Sequence, residues 1–324
     1  MLTRVVVLLL AGIWISIEAV SQAAVQPKES PAFPDADDLP ISAEYHYRLS
    51  GSARPFLFWI TRDDVGSGRL TWRRTRDGTQ SLELLMGSDP ERAPFNTNRW
   101  GYIREVVRGD SAELVAIKSG TEEETIDEVR AKANGRDGDR TLLFIRERIT
   151  PHEARASTAL VDVGDASYRE LSLVLEEMSK VRDWEERVSA RPRATRPGFL
   201  VALTELIQSG VDSWLAASGS SFKYGTRTLV YIHRAKPYEL RQSDVEVLRD
   251  VTLGGRHYPR LLRGAFRLRN PSTGYQSHFV VTYGIEGALA GVPVRITFQP
   301  RWWLRTQLTL DTSASAAHTA PAVP

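Results

Sequence analysis

The sequence predicts a mainly β fold with a helical insertion (α+β): a curved antiparallel sheet, half-barrel or barrel covered by two helices. Three observations predict it. Short segments with a two-residue apolar period recur through residues 42–163 and again through 226–311, the pattern of half-buried strands. Turn residues such as Asp77-Gly78 and Asn270-Pro271-Ser272-Thr273-Gly274 separate them in the manner of hairpin connections. Between the two regions lies the one long stretch with a helical period, residues 165–217.

In the first β region, Tyr45, Tyr47 and Leu49 share one face of a strand and Glu44, His46 and Arg48 the other, which is the strand period of two. Residues 56–60 are continuously apolar and aromatic, which predicts a short strand buried on both faces. Arg62-Asp63-Asp64-Val65-Gly66 reads as a turn, followed by alternation at Leu70 and Trp72 and then at Leu82, Leu84 and Met86. Residues 87–98, with Pro90, Pro94, Asn96 and Asn98, form the longest irregular stretch of this half, and loops of that length tend to be functional or mobile. Strands follow at 100–107, 112–117 and 142–145, and residues 159–163 lead into the helices. Residues 121–133 fit a short helix or a polar hairpin arm.

Within 165–217, Ser167-Tyr168-Arg169-Glu170 is a capping box, in which hydroxyl and carboxylate each satisfy a backbone N–H. Leu171, Val174, Leu175, Met178, Val181, Trp184 and Val188 then recur at helical spacing, predicting one amphipathic helix that Arg191-Pro192 stops. Residues 199–207 are apolar nearly all round, so the second helix is buried, with Gly210 interrupting it before 211–217. Such a pair is either a lid hinged at 191–197 or near Gly210, or a plug in which Phe199, Leu203 and Ile207 fill the sheet. The all-round apolar character favours the plug, in which case the helix itself fills the sheet and no ligand is held there. The second β region reads as strands at 228–232, 238–240, 245–247 and 262–268. Alternation at Phe279, Val281 and Tyr283, at Val294, Ile296 and Phe298, and from Trp302 to Leu310 completes it.

The chain opens with Arg4, an apolar run over 5–17 and Ser21-Gln22-Ala23, the layout of a secretory signal peptide cleaved after Ala23. The run is shorter than the roughly 20 apolar residues of a membrane span. Residues 24–40 then read as a flexible leader, 41–311 as a single β-rich domain and 312–324 as a disordered tail. The expected location is therefore extracytoplasmic, periplasmic or secreted. No cysteine is present, which excludes disulfides, thiol catalysis and a cysteine-borne lipid anchor. A core built from about 270 residues needs no such staple. The net charge of +2 is too small to suggest nucleic acid, whose recognition needs clustered positive charge. An outer-membrane barrel is disfavoured, because the helical segment and several short strands do not match its alternating strands of ~10 residues.

Few residues carry a chemical signal. Ser220-Ser221-Phe222-Lys223 has the S-x-x-K spacing of a lysine-activated serine but lacks its companion motifs. Gly66-Ser67-Gly68 lacks the rest of a dinucleotide fingerprint. The six histidines form no metal-binding motif, so neither a metal nor a cofactor is expected. His46, His233 and His278 could meet only in three dimensions. Asp63, Asp64 and Asp89, with Glu105, are the candidate acids of a hydrolase around the 87–98 loop, although aspartate beside Gly or Pro is first a turn residue. Trp302 and Trp303 point to opposite faces of the last strand, one toward the core and the other toward a groove, a ligand or a membrane interface.

Asp212-Ser213-Trp214-Leu215, Gly225, Lys236-Pro237-Tyr238-Glu239-Leu240, Glu246, Gly254-Gly255, Pro293-Val294-Arg295-Ile296 and the closing strand at 308–310 follow in order. In these features residues 212–310 resemble a group of exported bacterial β-proteins of unknown function. The resemblance implies export and a curved antiparallel β-domain, and it brings no catalytic residues. The leading expectation is an exported non-enzymatic envelope protein that binds a lipid, another apolar ligand or an envelope partner, with Phe199, Leu203, Ile207, Trp302 and Trp303 as ligand contacts. The competing expectations are an exported hydrolase and a structural or interaction module.

Overall fold

The computed structural model describes residues 36–54, 58–119, 141–217, 224–301 and 304–314. Among these, every strand joins one 15-stranded sheet. From the first half come β1 (Ile41–Ala53), β2 (Ile60–Arg74), β3 (Gln80–Ser88), β4 (Trp100–Arg108), β5 (Ser111–Ser119), β6 (Thr141–Ile149), β7 (Glu153–Asp162) and β8 (Glu185–Ala190). The second half supplies β9 (Thr195–Arg196), β10 (Arg227–His233), β11 (Lys236–Leu253), β12 (Arg256–Arg269), β13 (Gln276–Gly284), β14 (Pro293–Arg301) and β15 (Leu304–Leu310). Strands β1–β8 form one antiparallel meander and β10–β15 another, with the two-residue β9 added at the edge in parallel with β10 rather than antiparallel as predicted. The two meanders are spliced by antiparallel pairing of β1 with β15, from Tyr47 opposite Leu310 to Ala53 opposite Leu304. The sheet edges are β8 and β9.

The helices are α1 (Leu171–Lys180) and α2 (Phe199–Ala216), and they lie on opposite faces. On the inner face, Ala202, Leu206, Ile207, Val211 and Trp214 of α2 pack on Tyr231, Leu240, Leu262, Phe266, Val281 and Tyr283. Outside, Val174 and Met178 of α1 pack with Tyr168 on Leu85, Trp100, Tyr102, Ile117 and Phe144. The predicted mainly β architecture with a curved sheet and two helices is the one observed. The predicted capping box is also formed: Ser167 N donates to Glu170 Oε2 at 2.6 Å and the Ser167 hydroxyl accepts from Arg169 N.

Several local readings are corrected. Segment 165–217 is not helix throughout, because Val181 turns extended and β8 and β9 lie between the helices. Of the predicted apolar stripe, Leu171 to Met178 is helical. Trp184 instead stacks under the Arg146 guanidinium, and Val188 sits exposed on β8. Pairing with β7 outweighs the helical period there, since propensity is a weak prior against tertiary contacts. Gly210 does not interrupt α2. A side chain there would strike the Tyr283 hydroxyl, so the glycine permits close approach of helix and sheet.

Near residues 56–60, Phe58 and Ile60 are exposed rather than buried on both faces. Residues 62–66 are not a turn; they lie inside β2, where Asp64 takes φ 53° beside a register shift, the mark of a bulge. Segments 238–240 and 245–247 are one strand, β11, bulged at Asp244. The end of the predicted flexible leader is held: Ala36 and Leu39 are buried against Val106, and Arg73 donates to Leu39 O. The predicted signal peptide, residues 121–133, the Ser220–Lys223 motif, Trp302, Trp303 and most of the tail lie outside the described residues.

The close approach at Gly210 yields a test with a reversed sign. Glycine to alanine in a helix interior ordinarily stabilises by about 1 kcal/mol. Here overpacking against Tyr283 should dominate, so Gly210→Ala should lower stability by about 1–2 kcal/mol in urea unfolding.

Candidate functional site

The most unusual chemistry of the interior is a pair of buried carboxylates. Glu105 on β4 and Glu147 on β6 both oppose Leu114 of the intervening β5, so they share the inner face two strand spacings apart, roughly 10 Å. Neither meets solvent to any extent, at 0% and 4% exposure. Each reaches across to the second half of the chain. Glu105 accepts from Leu200 N at 2.9 Å and from Val201 N at 3.0 Å, satisfying donors that the start of α2 leaves unpaired and placing negative charge at the positive end of the helix. Gly198, the N-cap of α2, lies so close that any side chain would collide with the Glu105 carboxylate.

Glu147 does the same for the β10–β11 turn, accepting from Ala235 N at 2.7 Å and Arg234 N at 3.0 Å. Arg234 and Ala235 both hold φ 53°, a left-handed conformation that non-glycine residues adopt at a cost of roughly 1–2 kcal/mol each. The carboxylate compensates by satisfying both N–H groups. Ile149, Ala154, Ala156, Ile232 and Ala235 form a small apolar cluster around the same junction.

Burial pushes both carboxyls up, each to about 7, against the backbone donors that favour the ionised form; the charge of Glu147 raises Glu105 a little further. Tyr231, buried between the halves, is raised by desolvation and by both glutamates. With both oxygens of each carboxylate occupied by backbone N–H groups, the pair acts as an anchor between elements.

The other predicted acids are placed differently. Asp63 and Asp64 are exposed on the bulged start of β2. Asp89 is 2% exposed; it is held by Arg169 at 2.7 Å and Arg92 at 3.6 Å and accepts from Glu91 N. Its backbone bonds Val65, so it lies near Asp64 along the chain path. Glu105 pairs with Leu82, six residues along β3 from Ser88, or about 20 Å away. The acids therefore do not converge on one point. His46 bonds Glu44, and His233 packs edge-on to Tyr238. Among the described residues no group of three or more His, Asp or Glu could hold a metal ion.

Of the predicted apolar contacts, Leu203 and Ile207 line an inner cavity of 40 Å³ together with Leu200 and Thr204 of α2, Tyr47, Leu70, Trp72, Leu82 and Leu84 of β1–β3, and Pro293 and Ile296 of β14. Phe199 points elsewhere, packing on Tyr231 and Phe279. The residue missed at the level of sequence is Glu147. Its only signal was a lone acid at the end of an apolar strand run, which solvated edge residues share.

With this geometry in hand, comparison adds little. No family model matches the chain, and a search of curated proteins finds no match. Among solved structures it is similar to a beta-barrel-like protein of domain of unknown function DUF1849 from Brucella abortus. That similarity runs at 9% identity over 84% of this chain and 97% of the other, with a TM-score of 0.37. The assignment of roles therefore rests on the chain's own contacts.

The raised glutamates make stability depend on pH. Between the ordinary value of 4.5 and about 7 the folded protein retains protons that the unfolded chain releases, so stability falls as pH rises through that window. Asp77 and Asp311 are held below the usual range, and their opposite contribution falls at lower pH. The urea midpoint should therefore be lower at pH 8 than at pH 5, and the double variant E105Q/E147Q should flatten that difference. A wild-type midpoint that rises across this interval would contradict the assignment.

Proposed function

We propose that this is an exported, non-enzymatic envelope protein that holds an apolar ligand, of the class of a lipid acyl chain, between α2 and the inner face of β1–β3. The observation that carries the reading is the cavity under Leu203 and Ile207, lined almost wholly by apolar side chains. Trp72, Leu84 and Leu203 are only partly buried, so the lining reaches toward solvent. Binding sites of this kind are concave and mostly apolar.

The cavity is small. An apolar cavity of ~150 Å³ admits a benzene ring, so at 40 Å³ an acyl chain enters only as α2 shifts away from β1–β3. The packing supports such a shift: α2 is bedded on β10–β13, while its polar tie to the first half is the Glu105 contact at its N-terminus. The separation of Asp63, Asp64 and Asp89 from Glu105 favours this reading over an exported hydrolase. The basic, apolar and small-residue order of residues 1–23 supports export.

Titration of the protein with a fluorescent fatty acid is the direct test. Saturable binding is expected. Leu203→Trp, which fills the cavity, should abolish it. Leu203→Ala should strengthen binding while lowering stability by about 2 kcal/mol. Failure of both the wild type and Leu203→Ala to bind would overturn the proposal.

A further inference from the structure

Arg241 on β11, Arg267 on β12 and His278 on β13 stand directly opposite one another in three adjacent strands. Like charges at opposed positions of antiparallel strands destabilise the pairing, so the Arg241–Arg267 pair works against the sheet that carries it. It lies on the outer face, because the alternating residues Leu240, Phe266 and Phe279 point inward to α2. Arg241 and His278 are exposed and Arg267 is partly so. Nearby acids already serve other cations, Glu239 with Arg269 at 3.4 Å and Glu246 with Arg263 at 2.7 Å, while Asp244 sits exposed on the β11 bulge and bonds Ser243. Among the described residues, Arg241 and Arg267 form no ion pair.

The row borders one end of the sheet. There β12 and β13 meet at Arg269 and Gln276, and β1 ends at Ala53, flanked by Ile60 of β2 and Leu304 of β15. Three large apolar or aromatic side chains are exposed at this end: Phe58 at 63%, Ile60 at 54% and Tyr275 at 36%. Beside them the Arg305 guanidinium lies 4.5 Å above the Trp59 ring. Tyr275 beside the arginines, with Phe58 and Ile60 four strand spacings along the same end of the sheet, roughly 19 Å away, suits a lipid–water interface, where rings settle among headgroups and cations meet negative lipid. A soluble polyanion would leave the apolar tips without a partner.

We propose that this rim and the cationic row behind it dock the protein on an anionic phospholipid surface. The proposal shares no residue with the inner cavity, and either can fail alone. The test is co-sedimentation of the full chain with vesicles of phosphatidylcholine, with or without about 30 mol % phosphatidylglycerol. Partition onto the anionic vesicles is expected, weakened at about 1 M salt, where the Debye length falls to ~3 Å. R241Q/R267Q should reduce it roughly twentyfold, since each cation near such a surface contributes about fivefold. F58S/I60S changes only exposed positions. It should weaken vesicle binding while leaving retention on immobilised heparin unchanged; the arginine pair should lower both. Circular dichroism melting checks that each variant is folded. Equal partition onto neutral and anionic vesicles, indifference to both variant pairs, or heparin retention without vesicle binding would each overturn the proposal.

Discussion

The contact on which the rest of this architecture depends is the pair of glutamates that reach from the first β-meander into the second. A long antiparallel sheet has two edges, and nothing in strand pairing alone decides how far it curls. Glu105 and Glu147 decide it by giving the start of α2 and the β10–β11 turn acceptors that neither element can supply for itself. Burying two carboxylates costs free energy, which is why both are pushed up to about 7. Leaving a buried N–H group among these four without its acceptor would cost about 1–3 kcal/mol. Once that contact is made, the inner face is enclosed and α2 is positioned along it.

A second tie acts at the edges themselves. The chain passes from β8 to β9, the two outermost strands, through residues 191–194. The Arg191 guanidinium spans this crossing, donating to Thr150 O at 3.1 Å and Thr195 Oγ1 at 2.9 Å, and also to Asp110 O and Thr195 O. Ser189 adds a hydrogen bond to Ala235 O at 2.7 Å. The five donors of an arginine in fixed geometry suit such a junction of carbonyls. At the other end of α1, Gly66, Gly87 and Tyr168 pack so closely that neither glycine could carry a side chain. Ser67 donates to the Tyr168 hydroxyl at 2.9 Å. The loop 87–98, whose length pointed to function or mobility, is fastened at its end to the turn before α1, with Asn98 and Trp100 donating to Ala166 O.

The two faces of the sheet thus carry different chemistry. Inside, an apolar helix packs along the curve, with a small apolar cavity between it and β1–β3. Outside, α1 packs on β3–β6, whereas the outer face of β11–β13 presents two opposed arginines beside an exposed histidine. The interior accounts for stability and for the ligand proposed for it; the exterior rim supplies a surface that stability alone does not require.

Much of the fold was legible in the residues. Alternation at Tyr45, Tyr47 and Leu49, the Asn270–Gly274 turn and the Ser167–Glu170 capping box are local statements, and local sterics and hydrogen bonding enforce them wherever the chain goes. The apolar stretch around Phe199 likewise required burial, whatever its partner. What failed were readings in which distant pairing overrides local pattern. Trp184 and Val188 continue a helical period, yet the helix ends at Lys180 and β7 takes residues 185–190 as a strand. Gly210 looks like a helix breaker until the Tyr283 hydroxyl occupies the space beside it. The candidate site was hidden for the same reason. Glu105 was visible as an acid, but its role is set by N–H groups 95 and 96 residues away, and Glu147 by a turn 87 and 88 residues away. The sequence by itself determined the alternating strands such as 45–49, the turn at 270–274 and the need to bury α2, because period and turn chemistry act within a few residues. Only the tertiary structure decided which buried charges meet which backbone groups, because that depends on how far the sheet curls, and the curl is set by contacts between its ends.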